Sequence, residues 1–209
     1  MLNKEKTNRR AWVISGPSGS GKTTLCEALL KDAFWRKRLA KSVSYTTRPL
    51  RSGEKEGRDY RHISEEKFLK LKRDGGFYES EKIFGSYYGT PKKAFLDAKR
   101  EGKDLLLSID VKGARSLRKS LGKDAVSIFV LPPGLKVLQQ RLRHRSTEGK
   151  KDIEKRLRRV KIELSFMKDY DYIVVNDDLK VALAKLKSIL TAKQCEGTYV
   201  LRTIGKAYR

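Results

Sequence analysis

The chain has 209 residues, enough for one domain with a sizeable core, and it carries a net charge of +24. Two cysteines exclude a disulfide scaffold, no apolar run is long enough for a membrane span, and the basic amino terminus lacks a secretory signal, so we expect a cytoplasmic protein. The charge indicates a polyanionic partner, such as a nucleotide or nucleic acid, or else a solvated basic surface.

Apolar runs of strand length alternate with helix-like segments along the chain. Buried strands are predicted at residues 11–15, 105–110, 125–131 and 172–175, with shorter extended segments at 41–46, 59–63 and 77–90. Helices are predicted from about residue 22 and at 64–74, 91–100, 134–145, 151–167 and 179–190. Because strands separated by helices usually pair in parallel, the pattern predicts an α/β fold.

The turn after the first strand matches the phosphate-loop motif G-x-x-x-x-G-K-[ST]. Its residues are Gly16, Pro17, Ser18, Gly19, Ser20, Gly21, Lys22 and Thr23, and Thr24 follows. The glycines allow backbone N–H groups to surround phosphates at the start of a helix. In this motif Lys22 is expected at the β- and γ-phosphates and Thr23 at Mg²⁺, which predicts ATP or GTP binding. A Gly-rich turn without a ligand is the alternative.

Residues 44–60 resemble the signature of guanylate kinases, S-x-T-T-R…R-x-G-E…G-x-D-Y. The likeness continues through residues 77–79, 85–90, 109–114 and 173–178, and it covers about residues 11–190. The resemblance implies a three-layer P-loop fold with a parallel five-stranded core sheet. It also implies the reaction ATP + GMP ⇌ ADP + GDP, with Mg²⁺ as cofactor.

The resemblance assigns GMP binding to Ser44, Arg48, Arg51, Tyr60, Glu79, Tyr88, Thr90 and Asp110. Two guanidinium groups suit a phosphate dianion, which two tyrosine hydroxyls can also contact. Glu79 would accept hydrogen bonds from N1–H and the exocyclic amine of guanine, and the hydroxyl groups of Ser44 and Thr90 would complete the base edge. The milder alternative is that the tyrosines are core residues and the arginines lie in a solvated loop.

Catalytic roles fall by resemblance on Lys22, Arg48, Arg141, Arg145 and Arg156. The last three lie in a basic stretch that would cover ATP and stabilise charge on the transferred phosphoryl group. Asn176 would contact adenine or ribose, although an Asn that forms a turn at a strand end is the alternative. Ser108 departs from the family, in which an acidic residue often stands at this position, so Asp110 alone would serve for a contact with guanine or with the water shell of Mg²⁺.

The resemblance divides the chain into a core (1–42, 94–135 and 167–209), a GMP-binding subdomain (43–93) and a lid (136–166). The expected partners are ATP and GMP, without a specific nucleic acid or a membrane, in a monomer or homo-oligomer. Two alternatives are a phosphopeptide-binding relative of the kinases and a basic nucleic-acid-binding protein. The intact phosphate loop argues against the first, and the lack of Phe, Tyr and Trp in residues 136–161 argues against the second.

Overall fold

Strands and helices alternate in the computed structural model, which describes residues 9–51, 53–83, 85–145 and 150–204, with side chains for 9–51, 53–83, 85–141 and 158–201. The strands in these ranges are β1 (Ala11–Ser15), β2 (Leu39–Lys41), β3 (Ser44–Thr46), β4 (Tyr60–His62), β5 (Phe77–Ile83), β6 (Ser86–Pro91), β7 (Asp104–Ser108), β8 (Ala125–Leu131) and β9 (Tyr172–Val175). The helices are α1 (Lys22–Lys31), α2 (Ala33–Arg36), α3 (Glu65–Arg73), α4 (Lys92–Arg100), α5 (Val111–Leu121), α6 (Leu135–Arg145), α7 (Lys150–Ser165), α8 (Leu179–Gln194) and α9 (Gly197–Ile204).

The central sheet has five strands in the order β2-β7-β1-β8-β9, and all its pairings are parallel. The predicted parallel five-stranded sheet is thereby confirmed. In a parallel sheet the carboxyl ends of all strands meet at one edge, where ligands of such folds bind. The loops that follow β1, β7 and β9 therefore open at the same edge.

The core lies on both faces of this sheet because successive side chains of β1 alternate between them. Trp12 and Ile14 are fully buried in one cluster, which includes apolar residues of α1 and α8. Ala11 and Val13 are buried in the other, which includes residues of α4 and α5. The result is the expected three-layer α/β arrangement.

A second sheet, in the order β4-β3-β6-β5, is built from the chain between β2 and α4. Strands β5 and β6 form an antiparallel hairpin, and β6 also pairs with β3. The ring of Phe68 from α3 is fully buried and stacks on Phe77 with ring centroids 4.6 Å apart. This small aromatic core holds the sheet on which most of the predicted GMP residues lie.

Two helices, α2 and α9, occur where no element is predicted from the sequence, and two predicted elements have different ends. The predicted strand 105–110 ends early at Ser108, because Asp110 caps α5 by accepting the N–H groups of Lys112 and Gly113. After residue 190, where the predicted helix ends, α8 continues to Gln194 and α9 follows. The ring of Tyr199 in α9 lies 4.2 Å from the Arg10 guanidinium.

Within the described part of the chain, no helix has the length and hydropathy that a membrane span requires.

Candidate functional site

The loop between β1 and α1 has the backbone geometry that its glycines predict. Gly16, Gly19 and Gly21 all have positive φ angles, of 135°, 84° and 91°. A Cβ on Gly16 would lie 2.3 Å from the carbonyl oxygen of Val130, and a Cβ on Gly21 would lie 2.2 Å from Nδ2 of Asn176. Neither position can hold a side chain without displacing its neighbours, so packing as well as φ requires glycine in this loop.

Lys22 begins α1 and folds back over the loop. Its Nζ donates hydrogen bonds to the carbonyl oxygens of Gly16, at 2.8 Å, and Pro17, at 2.9 Å. Gly21 is the N-cap and supplies no side-chain cap, so the first N–H groups of α1 can bind an anion instead. Thr23 and Thr24 are exposed in this first turn, where their hydroxyl groups are accessible to a ligand.

Asn176 connects the phosphate loop to the end of β9. Its buried side-chain amide donates to the backbone carbonyl oxygen of Ser20 at 2.9 Å. The backbone carbonyl oxygen of Asn176 accepts two hydrogen bonds of 3.3 Å from the Arg141 guanidinium. The structure thus brings Arg141 of α6 to the carboxyl edge of the sheet, beside the loop. Contact of Asn176 with adenine or ribose stays a prediction, because the amide described here braces the loop backbone.

Arg145 and Arg156 lie on α6 and α7, but their side chains are outside the described residues. Their predicted roles therefore stay predictions.

Arg48, Tyr60 and Tyr88 meet on the second sheet. Nε of Arg48 donates to the Tyr88 hydroxyl at 3.1 Å, and the guanidinium lies 5.5 Å from the centre of the Tyr60 ring. Burial opposes the charge of Arg48, but hydrogen bonds to Glu54 and Tyr88 outweigh it and raise the pKa. Burial also raises the pKa of Tyr60. The cluster keeps a positive charge beside two phenol hydroxyl groups, which is chemistry suited to a phosphate.

Glu54 is a residue of this cluster to which no role was assigned from the sequence. Nη2 of Arg48 donates to its Oε1 at 2.7 Å and Oε2 at 2.9 Å, and the backbone N–H of Arg51 donates to Oε2 at 3.0 Å. The Arg51 side chain is exposed, and Ser44 is half-buried at the start of β3. The acidic residue three positions after Arg51 is the signal that could have identified Glu54 as the acceptor in this turn.

Glu79 lies almost fully buried in the hairpin between the two sheets. The Thr90 hydroxyl, opposite it on β6, donates to Oε1 at 2.5 Å. Burial raises the pKa of Glu79 to about 7, a shift that the nearby charge of Asp110 increases and the Thr90 hydrogen bond decreases. A ligand that donates N–H hydrogen bonds to this buried group would stabilise its charged form.

The helix α5 packs against Glu79 from the side of the central sheet. A Cβ on Gly113 would lie 2.9 Å from Oε2 of Glu79, so the absence of a side chain lets the helix backbone approach the carboxylate. Asp110, at the start of α5, uses Oδ1 to accept N–H groups of its own helix at 2.8 and 3.0 Å. Gly113 lies within residues 109–114, which share the resemblance, but its closeness to Glu79 in space is seen only in the structure.

The donor set near the phosphate loop limits which metal could bind there. Across the described residues, no group of three or more His, Cys, Asp or Glu side chains is arranged to hold a metal. Mg²⁺ commonly takes one or two protein oxygens and completes its shell with phosphate oxygens and water. The exposed Thr23 hydroxyl at the start of α1 fits that requirement, whereas the site does not suit a metal held by protein alone.

Comparison with known proteins identifies the family. The family model described as guanylate kinase matches residues 8–193. A guanylate kinase of Maricaulis maris is 44% identical over 181 residues, which are 87% of this chain and 82% of that protein. One of Caldanaerobacter subterraneus is 40% identical over 183 residues, covering 88% and 87% of the two chains. The crystal structure of guanylate kinase from Anaplasma phagocytophilum superposes with a TM-score of 0.72 at 33% identity, over 93% of this chain and 91% of that one.

Proposed function

The chain belongs to the guanylate kinase family, and we propose that the pocket around Glu79 selects GMP as the acceptor of the γ-phosphoryl group of ATP. The protein is accordingly a nucleoside monophosphate kinase that interconverts ATP + GMP and ADP + GDP. A phosphopeptide-binding module and a nucleic-acid-binding protein are not favoured.

The observation that carries the proposal is the buried carboxylate of Glu79. Its Oε1 is already paired with the Thr90 hydroxyl, and the backbone at Gly113 approaches Oε2. Guanine presents N1–H and an exocyclic amine side by side, and one carboxylate can accept from both. Adenine presents an acceptor at N1, which would face the buried carboxylate without donating to it, and buried acceptors that lack a donor are costly. Ser44 and Asp110 would complete the contacts with the base.

The α-phosphate of GMP would bind to Arg48, Arg51, Tyr60 and Tyr88. This phosphate would share the Arg48 guanidinium with Glu54. Two hydrogen bonds from Arg48 to the Glu54 carboxylate orient the guanidinium group. The phosphate oxygen is already nucleophilic, so the transfer requires no strong general base. The protein has to align donor and acceptor, exclude water, and stabilise charge as the phosphoryl group moves.

The phosphates of ATP would lie in the loop from Gly16 to Thr24, with Lys22 moving from the loop carbonyls to the β- and γ-phosphates. Arg141 already stands beside this loop, and by family resemblance Arg145 and Arg156 would join it when the lid, residues 136–166, closes. Segment 43–93 would close from the other side as the GMP-binding subdomain. Asn176 would contribute to the adenosine side.

Mg²⁺ is proposed as the metal that accompanies ATP, with the Thr23 hydroxyl as its protein ligand. When bound, the ion neutralises phosphate charge and fixes the geometry of the β- and γ-phosphates. No specific nucleic acid or membrane partner belongs to this proposal.

The test is a coupled assay of ADP formation from ATP with GMP, AMP, CMP, UMP or dTMP as acceptor, with a sample lacking acceptor as the control for ATP hydrolysis. We expect GMP to exceed every other acceptor in kcat/KM by at least about 10²-fold, the scale on which sites built on hydrogen bonds discriminate. Equal use of AMP would contradict the assignment of Glu79.

A further inference from the structure

A cavity of about 610 Å³ opens at the edge of the central sheet opposite the phosphate loop. Its floor includes Arg10, which precedes β1, together with Ala125 and Val126, which begin β8. The phosphate loop follows the far end of β1, five residues away, which corresponds to about 16 Å of extended strand. The cavity is therefore separate from the site described above, and its volume is in the range of small-molecule sites.

The wall of this cavity is strongly cationic. Two carboxylates, Asp171 and Glu196, face six basic side chains, which leaves a net charge of +4; the basic residues are Arg10, Arg115, Arg118, Lys119, Lys123 and Lys193. A concave surface with charge of one sign concentrates the field and attracts ligands of the opposite sign.

Part of this charge is fixed in place by the fold. The Arg10 side chain is only 6% exposed and donates to Glu196 at 2.8 Å, while its guanidinium lies over the Tyr199 ring. Arg118 donates to the carbonyl of Asp169 and lies 3.5 Å from Asp171. Lys193 also forms an ion pair with Glu196, so both carboxylates of the wall are paired, and these three cations form the base of the cavity.

The remaining cations are those that a ligand could use. Arg115 and Lys119 lie one turn apart on α5, and Lys123 follows in the short 3-10 turn after it. All three are exposed, and no described carboxylate lies within ion-pair distance of them. Three unpaired cations along one wall, above a rigid cationic base, suit a linear anion better than a single compact one.

We propose that this cavity binds a polyphosphate chain, either inorganic or the 5′-triphosphate of a nucleotide, at a site remote from the active site. A chain of three phosphates carries about four negative charges, which matches the net charge of the wall. Its oxygens accept the charge-assisted hydrogen bonds that Arg and Lys donate. The site accounts for part of the large positive charge, which the kinase reaction does not explain.

The experiment measures calorimetric binding of inorganic tripolyphosphate to the full chain at physiological ionic strength. The active site is first saturated with GMP and a non-hydrolysable ATP analogue, so that the phosphate loop cannot take up the probe. The cavity variant carries Arg115→Gln, Lys119→Gln and Lys123→Gln. The matched control carries Lys31→Gln, Lys37→Gln and Arg36→Gln, which removes the same charges from exposed positions at the ends of α1 and α2.

The proposal predicts one tripolyphosphate per chain, at least about tenfold weaker binding in the cavity variant, and wild-type binding in the control. GMP kinase activity should be unchanged in both variants, which also shows that they are folded. Equal losses in the two variants, or no binding to the wild type, would overturn the proposal. If ATP or GTP bound more tightly than tripolyphosphate, the ligand of the cavity would be the triphosphate of a nucleotide and not inorganic polyphosphate. A single-stranded oligonucleotide that binds the cavity more tightly than either would overturn the assignment in favour of nucleic acid.

Discussion

The phosphate loop and the site around Glu79 are built by opposite means. The loop is shaped by glycines and offers backbone N–H groups, and Lys22 is its main charged side chain. The pocket is shaped by side chains from the hairpin, with the carboxylate of Glu79 buried against Thr90 and the backbone of Gly113. On the proposed function, the first site would bind an anion with fixed dipoles, and the second would bind a neutral base edge with a carboxyl group whose pKa depends on its surroundings.

This difference determines how each site should respond to change. Backbone N–H groups do not titrate and survive most substitutions, so the loop depends on Lys22 and on a few glycines. The pocket depends on a carboxyl group whose pKa is about 7, so pH and small displacements should affect it. The four predictions that follow test the two behaviours, beginning with the largest effect.

Lys22→Ala should lower kcat at least about 10²-fold, because on the proposed function it removes the charge that would act on the β- and γ-phosphates in the transition state. The coupled ADP assay measures the change. Lys31→Ala, which removes an exposed lysine from the last turn of the same helix, is the control and should retain wild-type turnover. If a folded Lys22→Ala protein turned over at the wild-type rate, the loop would be acting through its backbone alone.

Glu79→Gln should lower kcat/KM for GMP about 10- to 100-fold, the cost of losing hydrogen bonds to a charged acceptor. The amide keeps the size of the side chain but places a donor group against the donors of guanine. The kcat/KM ratio of GMP to AMP should narrow, while KM for ATP should stay the same. A variant that keeps the wild-type ratio would show that guanine is recognised by other residues.

The two sites also differ in how far the sequence predicts them. The phosphate loop follows from eight consecutive residues, because a backbone-built site is local, and the strands 11–15, 125–131 and 172–175 follow from their apolar runs. The role of Glu54 could have been predicted from its spacing to Arg51, whereas the role of Gly113 depends on Glu79, which lies in a different element and is distant in sequence. The helix α9 escapes prediction because its contacts, such as that between Tyr199 and Arg10, join the two ends of the chain.

The pH dependence should appear in the GMP site. Because the pKa of Glu79 is raised to about 7, the group is mostly protonated at pH 6, and a protonated carboxyl cannot accept both guanine donors. GMP binding must then displace a proton, so KM for GMP should rise about tenfold between pH 8 and pH 6. In Glu79→Gln only the weaker dependence caused by the phosphate, whose second pKa is about 6, should remain. A pH-independent KM in the wild type would contradict the raised pKa.

Gly113→Ala should produce the smallest and most selective effect. The new Cβ would lie 2.9 Å from Oε2 of Glu79, so the carboxylate must shift by a few tenths of an ångström. We expect KM for GMP to rise about three- to tenfold with KM for ATP unchanged, since a displaced buried hydrogen bond costs about 1 kcal/mol. Alanine is also the better helix former by about 1 kcal/mol, so α5 should not be destabilised and the thermal midpoint should not fall. Gly197→Ala, in open space at the start of α9, is the control and should leave both KM values unchanged. If Gly113→Ala raised the two KM values equally, the effect would have spread through α5 to the phosphate loop, and the two sites would not be independent.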